Sequence, residues 1–212
     1  MRRADTHGKN RLLPAELALL LALAVTAVWG AWSLQRQEAL AQRLIRLHVV
    51  AASDDPSDQA LKLRVRDRVL TLTEDLLAGA GDAGQARERL EAALPALEAA
   101  AAEALAEQGC GDDVTARLEQ MSFPYREYGG FALPAGEYTA LRLTIGTGEG
   151  QNWWCVVFPP LCTAAASEWD ESAATAGMDD DDLSLMTEED GGYVLKFRSL
   201  ELWDLIRRWL GK

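Results

Sequence analysis

From Leu44 to Ala52 the chain alternates with a period of two. Ile45, Leu47, Val49 and Ala51 point one way, and Leu44, Arg46, His48 and Val50 the other, which predicts a strand. The strand stops at Ser53-Asp54-Asp55-Pro56. Asp55 suits an N-cap, Pro56 suits the first helical position, and Asp58 favours the positive end of a helix dipole. The period then becomes helical and runs to about Ala78, with Gly79 and Gly81 to end it. Leu61, Val65, Val69, Leu72 and Leu76 form one apolar stripe, and Leu63, Leu70 and Leu77 a second. Asp58, Lys62 and Arg66 fall between the two stripes. Charges there need partners or a route to water, because unpaired burial is expensive. One reading is i,i+4 pairing with long stems passing a sheet edge. The other is a binding surface at the helix start.

A second helix is expected from a cap at Asp82 to about Gln108, with Leu90, Leu94, Leu97, Ala101 and Leu105 inward and Pro95 kinking or splitting it. The period returns to two at Val114–Met121 and again at Tyr138–Ile145, where Leu141, Leu143 and Ile145 share a face. Gly146-Thr147-Gly148-Glu149-Gly150 reads as a flexible hairpin tip. It is not a dinucleotide loop, since the spacing is wrong and a strand follows where a helix is required. Asn152-Trp153-Trp154-Cys155-Val156-Val157-Phe158 is a short apolar strand stopped by Pro159-Pro160. Its adjacent tryptophans point to opposite faces, so one can be buried and the other exposed.

The ends of the chain differ from this middle. Arg2, Arg3, Lys9 and Arg11 precede an uncharged run from Leu17 to Trp32, which is short for a span of ~20 residues. Residues 1–42 therefore read as a basic cytoplasmic flank followed by a signal peptide or signal anchor, with the remainder exported. Ala39-Leu40-Ala41 has the letters of a cleavage site but lies far downstream of the run. Residues 166–191 read as an acidic linker: residues 168–190 contain ten acidic residues and no Lys or Arg. Residues 192–212 read as a strand, Tyr193–Phe197, and an amphipathic helix from about Ser199. The folded core is expected over residues 43–165. Its fold class is α+β: a largely antiparallel sheet of four or five strands with two long helices on one face and a short C-terminal helix. The place of the first strand in the sheet is left open.

Composition narrows the chemistry. A net charge of −12 argues against nucleic-acid binding. His48 is the sole histidine of the expected folded part, too few ligands for zinc, and no metal or cofactor is expected. A Cys155–His48 nucleophile pair is a poor reading, because Cys155 lies midway along an apolar strand. Asp54-Asp55-x-x-Asp58 has the letters of a magnesium-diphosphate motif, but Asp55 reads as a cap. No carboxylate pair is singled out by spacing for glycoside hydrolysis. In an exported domain Cys155 and Cys162 are close enough in sequence to close a small disulfide loop around the prolines; the alternative is three thiols packed as small hydrophobes. No small-molecule substrate is expected.

Two stretches carry a resemblance. His48-Val49-Val50-Ala51-Ala52-Ser53-Asp54 with Asp58 to Asp67, and Pro134-Ala135-Gly136-Glu137-Tyr138 with Asn152 to Cys162, resemble the stage II sporulation protein R family. They span the expected core from about Leu44 to Cys162. Ala52 departs from the pattern, standing where a polar residue is expected. The resemblance implies a non-enzymatic signal, made in the forespore and exported into the space between the two sporulation membranes. There it triggers the stage II membrane aspartic protease of the mother cell, which matures the precursor of sigma factor E. Partner-binding candidates are the corner His48, Asp54, Asp58, Lys62 and Arg66 and the strand Asn152, Trp153 and Trp154. Residues 17–32 are the expected membrane contact. The competing class is an exported cell-wall or envelope hydrolase acting through His48 or a carboxylate pair, and a third is a structural envelope component.

Overall fold

The computed structural model describes residues 14–128 and 131–161, together with Met186. Its elements are α1 (Pro14–Arg43), β1 (Ile45–Val50), α2 (Pro56–Leu77), α3 (Ala83–Ala106), β2 (Val114–Phe123), β3 (Arg126–Glu127), β4 (Ala132–Leu133), β5 (Gly136–Ile145) and β6 (Asn152–Phe158). The acidic stretch other than Met186, the expected C-terminal strand and helix, and Cys162 lie outside the described residues.

The fold is α+β, with a four-stranded sheet in the order β2-β5-β1-β6. Two of its three pairings are antiparallel, and β1 runs parallel to β5. The first strand is thus interior, with β5 on one side and β6 on the other. All six of its residues are buried, as a strand covered on both faces requires. A parallel neighbour needs a long crossover. Here α2, α3 and β2 supply it, and the short β3–β4 pair sits between β2 and β5.

Both long helices lie on one face. Ile45, Leu47 and Val49 of β1, with Leu141 and Leu143 of β5, pack against Val65 and Val69 of α2 and Leu90, Leu97 and Leu105 of α3. The buried row of α2 is Lys62, Val65, Val69, Thr73 and Leu77; Leu61, Leu72 and Leu76 are only half-buried. Lys62 therefore falls within the packed side of the helix. Asp55 occupies the N-cap position of α2 without a side-chain cap bond. Ser53 braces the corner instead: its Oγ accepts from the Asp55 N–H at 3.1 Å and donates to Asp58 Oδ2 at 2.6 Å. Asp82 does cap α3, its Oδ1 accepting from the Gln85 N–H at 2.9 Å. Pro95 does not split α3. It sits on the exposed side of the helix, where the carbonyl its ring leaves without a donor is open to solvent rather than to the core.

The opposite face of the sheet has its own cluster. Leu40 and Ala41 from the last turn of α1 join Leu44, Phe123, Phe131, Leu133, Tyr138, Ala140, Val156, Leu161 and Met186 there. The core thus reaches back into residues 1–42. Helix α1 is long and apolar enough to cross a membrane. At 1.5 Å per residue its 30 residues extend about 45 Å. It enters the domain with a single residue, Leu44, between its end and β1.

The Gly146–Gly150 connection is not a hairpin tip, because β5 and β6 are not neighbours: β1 lies between them. The loop must cross the end of β1, and it is tied there. Gly150 N–H donates to Ala51 O at 3.0 Å, Glu149 N–H to Ala52 O at 3.2 Å, and Thr147 Oγ1 to Ala52 O at 3.0 Å. Ala52 serves through its carbonyl, a role that needs no polar side chain. A Cβ at Gly150 would clash with the Ser53 carbonyl oxygen. Gly150→Ala is expected to lower the unfolding free energy by about 1–3 kcal/mol, read as a lower denaturant midpoint at unchanged slope. An unchanged midpoint would show that the loop does not pack on β1.

Candidate functional site

The antiparallel pairing of β1 with β6 joins the two stretches that the sequence singled out. His48 lies opposite Trp154, Val49 opposite Trp153 and Val50 opposite Asn152. The strand-to-helix corner and the tryptophan strand are thus one continuous region at the β6 side of the sheet.

On the helix side of this region, Lys62 is the anchor. It is buried to 5% exposure, yet its Nζ donates to Gln59 Oε1 at 2.6 Å and to Gln151 O at 2.8 Å, just before β6. The stem passes the sheet edge and the ammonium finds acceptors there, as a snorkelling lysine does. Burial pulls the Lys62 pKa down, and the charge of Asp54 partly restores it. The expected i,i+4 ladder is absent from these contacts: Asp58 is held by Ser53, and Arg66 pairs with Asp67 at 2.6 Å. Arg66 also covers Trp153, its guanidinium carbon 4.8 Å from the ring centroid. Asp54 is exposed.

The tryptophans do point to opposite faces, but neither is fully buried or fully exposed. Trp153 packs against the helix-side core and Trp154 against the other cluster. Each carries an arginine over its ring: Arg66 over Trp153, and Arg126 over Trp154 at 4.5 Å. Such pairs leave a flat apolar face at the surface with a cation over it, a common feature of protein-binding surfaces.

His48 lies on the face away from the helices. Its Nε2 is 2.7 Å from Asn152 Oδ1, and its ring contacts Phe123 and Trp154 at 6.3 and 5.9 Å between centroids. Burial lowers its pKa; the Asn152 bond opposes this and the Arg142 charge adds to it. Beside it Arg46 is fully buried. Its guanidinium stacks over Phe123 at 4.0 Å and Tyr138 at 4.9 Å, and its Nη2 donates to the Tyr128 hydroxyl at 2.6 Å. Burial also pushes Tyr138 up to about 12, the Arg46 charge opposing the shift. Sequence reasoning placed Arg46 on the His48 face but gave it no role, and passed over Arg126 and Arg142. The signal was present: Arg142 alternates with Leu141 and Leu143, which puts it on the face shared with His48.

Cys155 is disulfide-bonded and Cys110 carries a free thiol; Cys162 lies outside the described residues. A sulfur held in a disulfide is no nucleophile, so the geometry gives no support to a Cys155–His48 pair. Among the described residues no cluster of His, Cys, Asp and Glu could hold a metal.

The sequence model of Stage II sporulation protein R matches residues 41–168, which covers every element from β1 to β6. The chain belongs to the stage II sporulation protein R family. Stage II sporulation protein R of Bacillus subtilis (strain 168) is 35% identical over 158 residues, 73% of this chain and 70% of the relative. No solved structure matches. Membership of the stage II sporulation protein R family gives the chain a role in sporulation. The apolar α1 fits a signal anchor or membrane segment in such a protein.

Two outcomes follow from this geometry. Lys62→Met keeps the stem but leaves the Gln151 carbonyl only the long bond from the Ala51 N–H, at 3.5 Å, and is expected to cost about 1–3 kcal/mol in denaturant unfolding; a neutral substitution would show that water replaces the ammonium. His48 is held below its ordinary pKa of 6.5. The unfolded chain therefore takes up a proton first, so stability present at higher pH is lost as pH falls through 6.5. Between pH 7.5 and 5 the His48→Gln variant should lose less stability than the wild type, and parallel slopes would contradict this.

Proposed function

We propose that this protein is an exported forespore signal. It acts from the space between the two sporulation membranes and activates, by binding, the mother-cell membrane aspartic protease that matures the sigma factor E precursor. The observation that carries the binding reading is the joined region at β1 and β6. There two half-buried tryptophans on opposite faces each lie under an arginine, next to a buried, satisfied lysine. Packing alone does not ask for indole rings at such positions, whereas an interface does. A binding signal activates only if it binds the active form of the protease more tightly than the resting form. Helix α1 supports the location, since an apolar helix joined directly to the domain holds the binding region near a membrane surface. A hydrolase reading would use His48, but that ring lies 5% exposed between Phe123 and Trp154 with one nitrogen bonded to Asn152.

The test is processing of the sigma precursor in a non-sporulating host that expresses this chain, the protease and the precursor together. Processing is expected only with all three. Trp153→Ala and Trp154→Ala are expected to reduce it by roughly tenfold or more, the scale of an interface hot spot, while export and folding persist. Processing that never appears with a stable, exported wild type would end the activator reading. Full processing by both folded variants would move the interface elsewhere.

A further inference from the structure

Four residues on neighbouring strands line up across the face of the sheet opposite the helices. Arg117 of β2 lies opposite Arg142 of β5, Arg142 beside His48 of β1, and His48 opposite Trp154 of β6. Like charges directly opposite each other in a sheet are destabilising. Arg117 is exposed and forms no ion pair among the described residues, and the Arg142 side chain is 38% exposed. Among the described residues the one carboxylate against the row is Glu119, whose Oε1 is 3.3 Å from Arg142 Nη1. This occurs in a chain of net charge −12, which has carboxylates to spare.

A second observation concerns the same face. The buried side-chain polar atoms without a partner among the described residues are Arg46 Nε, Arg46 Nη1, His48 Nδ1 and Arg142 Nε. All four lie on this face, on β1 and β5. Three are N–H donors. His48 Nδ1 becomes a fourth once the ring is protonated, because Nε2 already faces Asn152 Oδ1. Unpaired buried donors are costly, and the three arginine nitrogens give this face positive charge that no acceptor meets among the described residues.

We infer that the Arg117–Arg142–His48–Trp154 row is a receptor for an acidic, extended peptide segment of the partner protein. The segment lies across the strands with carboxylates on Arg117 and Arg142, next to the buried His48 ring, and an apolar side chain at the exposed part of Trp154 beside Arg126. Arg117 and Arg142 are one strand spacing apart, about 5 Å, and their long side chains can reach carboxylates about 7 Å apart, two residues along an extended chain. The row lies about 13 Å along β1 from Leu44, where α1 joins the domain. A lipid headgroup layer at the end of α1 would meet that junction first, which favours a peptide over a lipid. The inference rests on the binding reading above for the identity of the partner, but the chemistry of the row is independent of it.

The test uses the full chain in neutral-lipid nanodiscs and a short peptide of alternating Glu and Ala, with a Gln and Ala peptide as control. His48 ring signals are followed by NMR. The Glu peptide is expected to move them saturably, less so at high salt, and to raise the His48 titration midpoint against the opposing charge of Arg142 and alongside Glu119. The Arg117→Gln/Arg142→Gln variant is expected to bind at least about tenfold more weakly. Loss of the like-charge pair offsets loss of the part-exposed Arg142–Glu119 contact, so its melting temperature should stay near that of the wild type, and this separates lost binding from lost folding. Equal binding of both peptides, no binding, or wild-type binding by the double variant overturns the proposal. So does movement of the His48 signals caused by anionic lipid without peptide, which would assign the row to headgroups. In the processing assay, wild-type activity retained by the double variant overturns the row and leaves the activator reading standing. Peptide binding without any processing leaves the row standing and ends the activator reading.

Discussion

The pairing of β1 with β5 on one side and β6 on the other is the constraint from which the rest of the fold follows. A strand so placed must be covered on both faces, and its two faces have different chemistry. Ile45, Leu47 and Val49 meet the leucines of α3 and the valines of α2 in an ordinary apolar layer. Arg46 and His48 cannot be covered in that way. They are met by rings instead, Phe123, Tyr138, Tyr128 and Trp154, which supply π-faces and a hydroxyl where aliphatic side chains would supply nothing polar.

That second face is where stability and the proposed binding part. A buried guanidinium with two unpartnered nitrogens is a cost that an apolar residue at the same position would avoid. The aromatic stacking offsets part of it. The remainder is retained on the face that also carries Trp154 and the arginine row, so the polar cost and the proposed binding surface coincide. The helix side solves its own polar problem completely: Lys62 reaches the Gln151 carbonyl and in doing so ties α2 to the start of β6.

Helix α1 links this domain to the membrane question. Because Leu40 and Ala41 belong to the second cluster, the last turn of an apolar helix is also part of the folded core. Cutting after Ala41 would remove two buried side chains from that cluster. A helix joined to a strand through one residue also leaves little freedom between the two, so the domain is held in a defined orientation relative to α1.

Much of this was legible in the residues. The alternation from Leu44 to Val50 gave a strand with two distinct faces, and the helical spacing gave α2 and α3 with near-correct ends, because local periodicity reports which side of an element meets apolar neighbours. The α+β class and the family resemblance were legible too. What the sequence could not give was adjacency. The parallel neighbour of β1 lies about ninety residues downstream, and nothing local specifies that pairing. From it follow the crossing loop at Gly150, mistaken for a hairpin tip, and the merger of the His48 corner with the tryptophan strand. The row of Arg117, Arg142, His48 and Trp154 likewise exists only when four strands stand in register. Period and capping are written in neighbouring residues; register is decided by long-range packing, and the candidate site was made there.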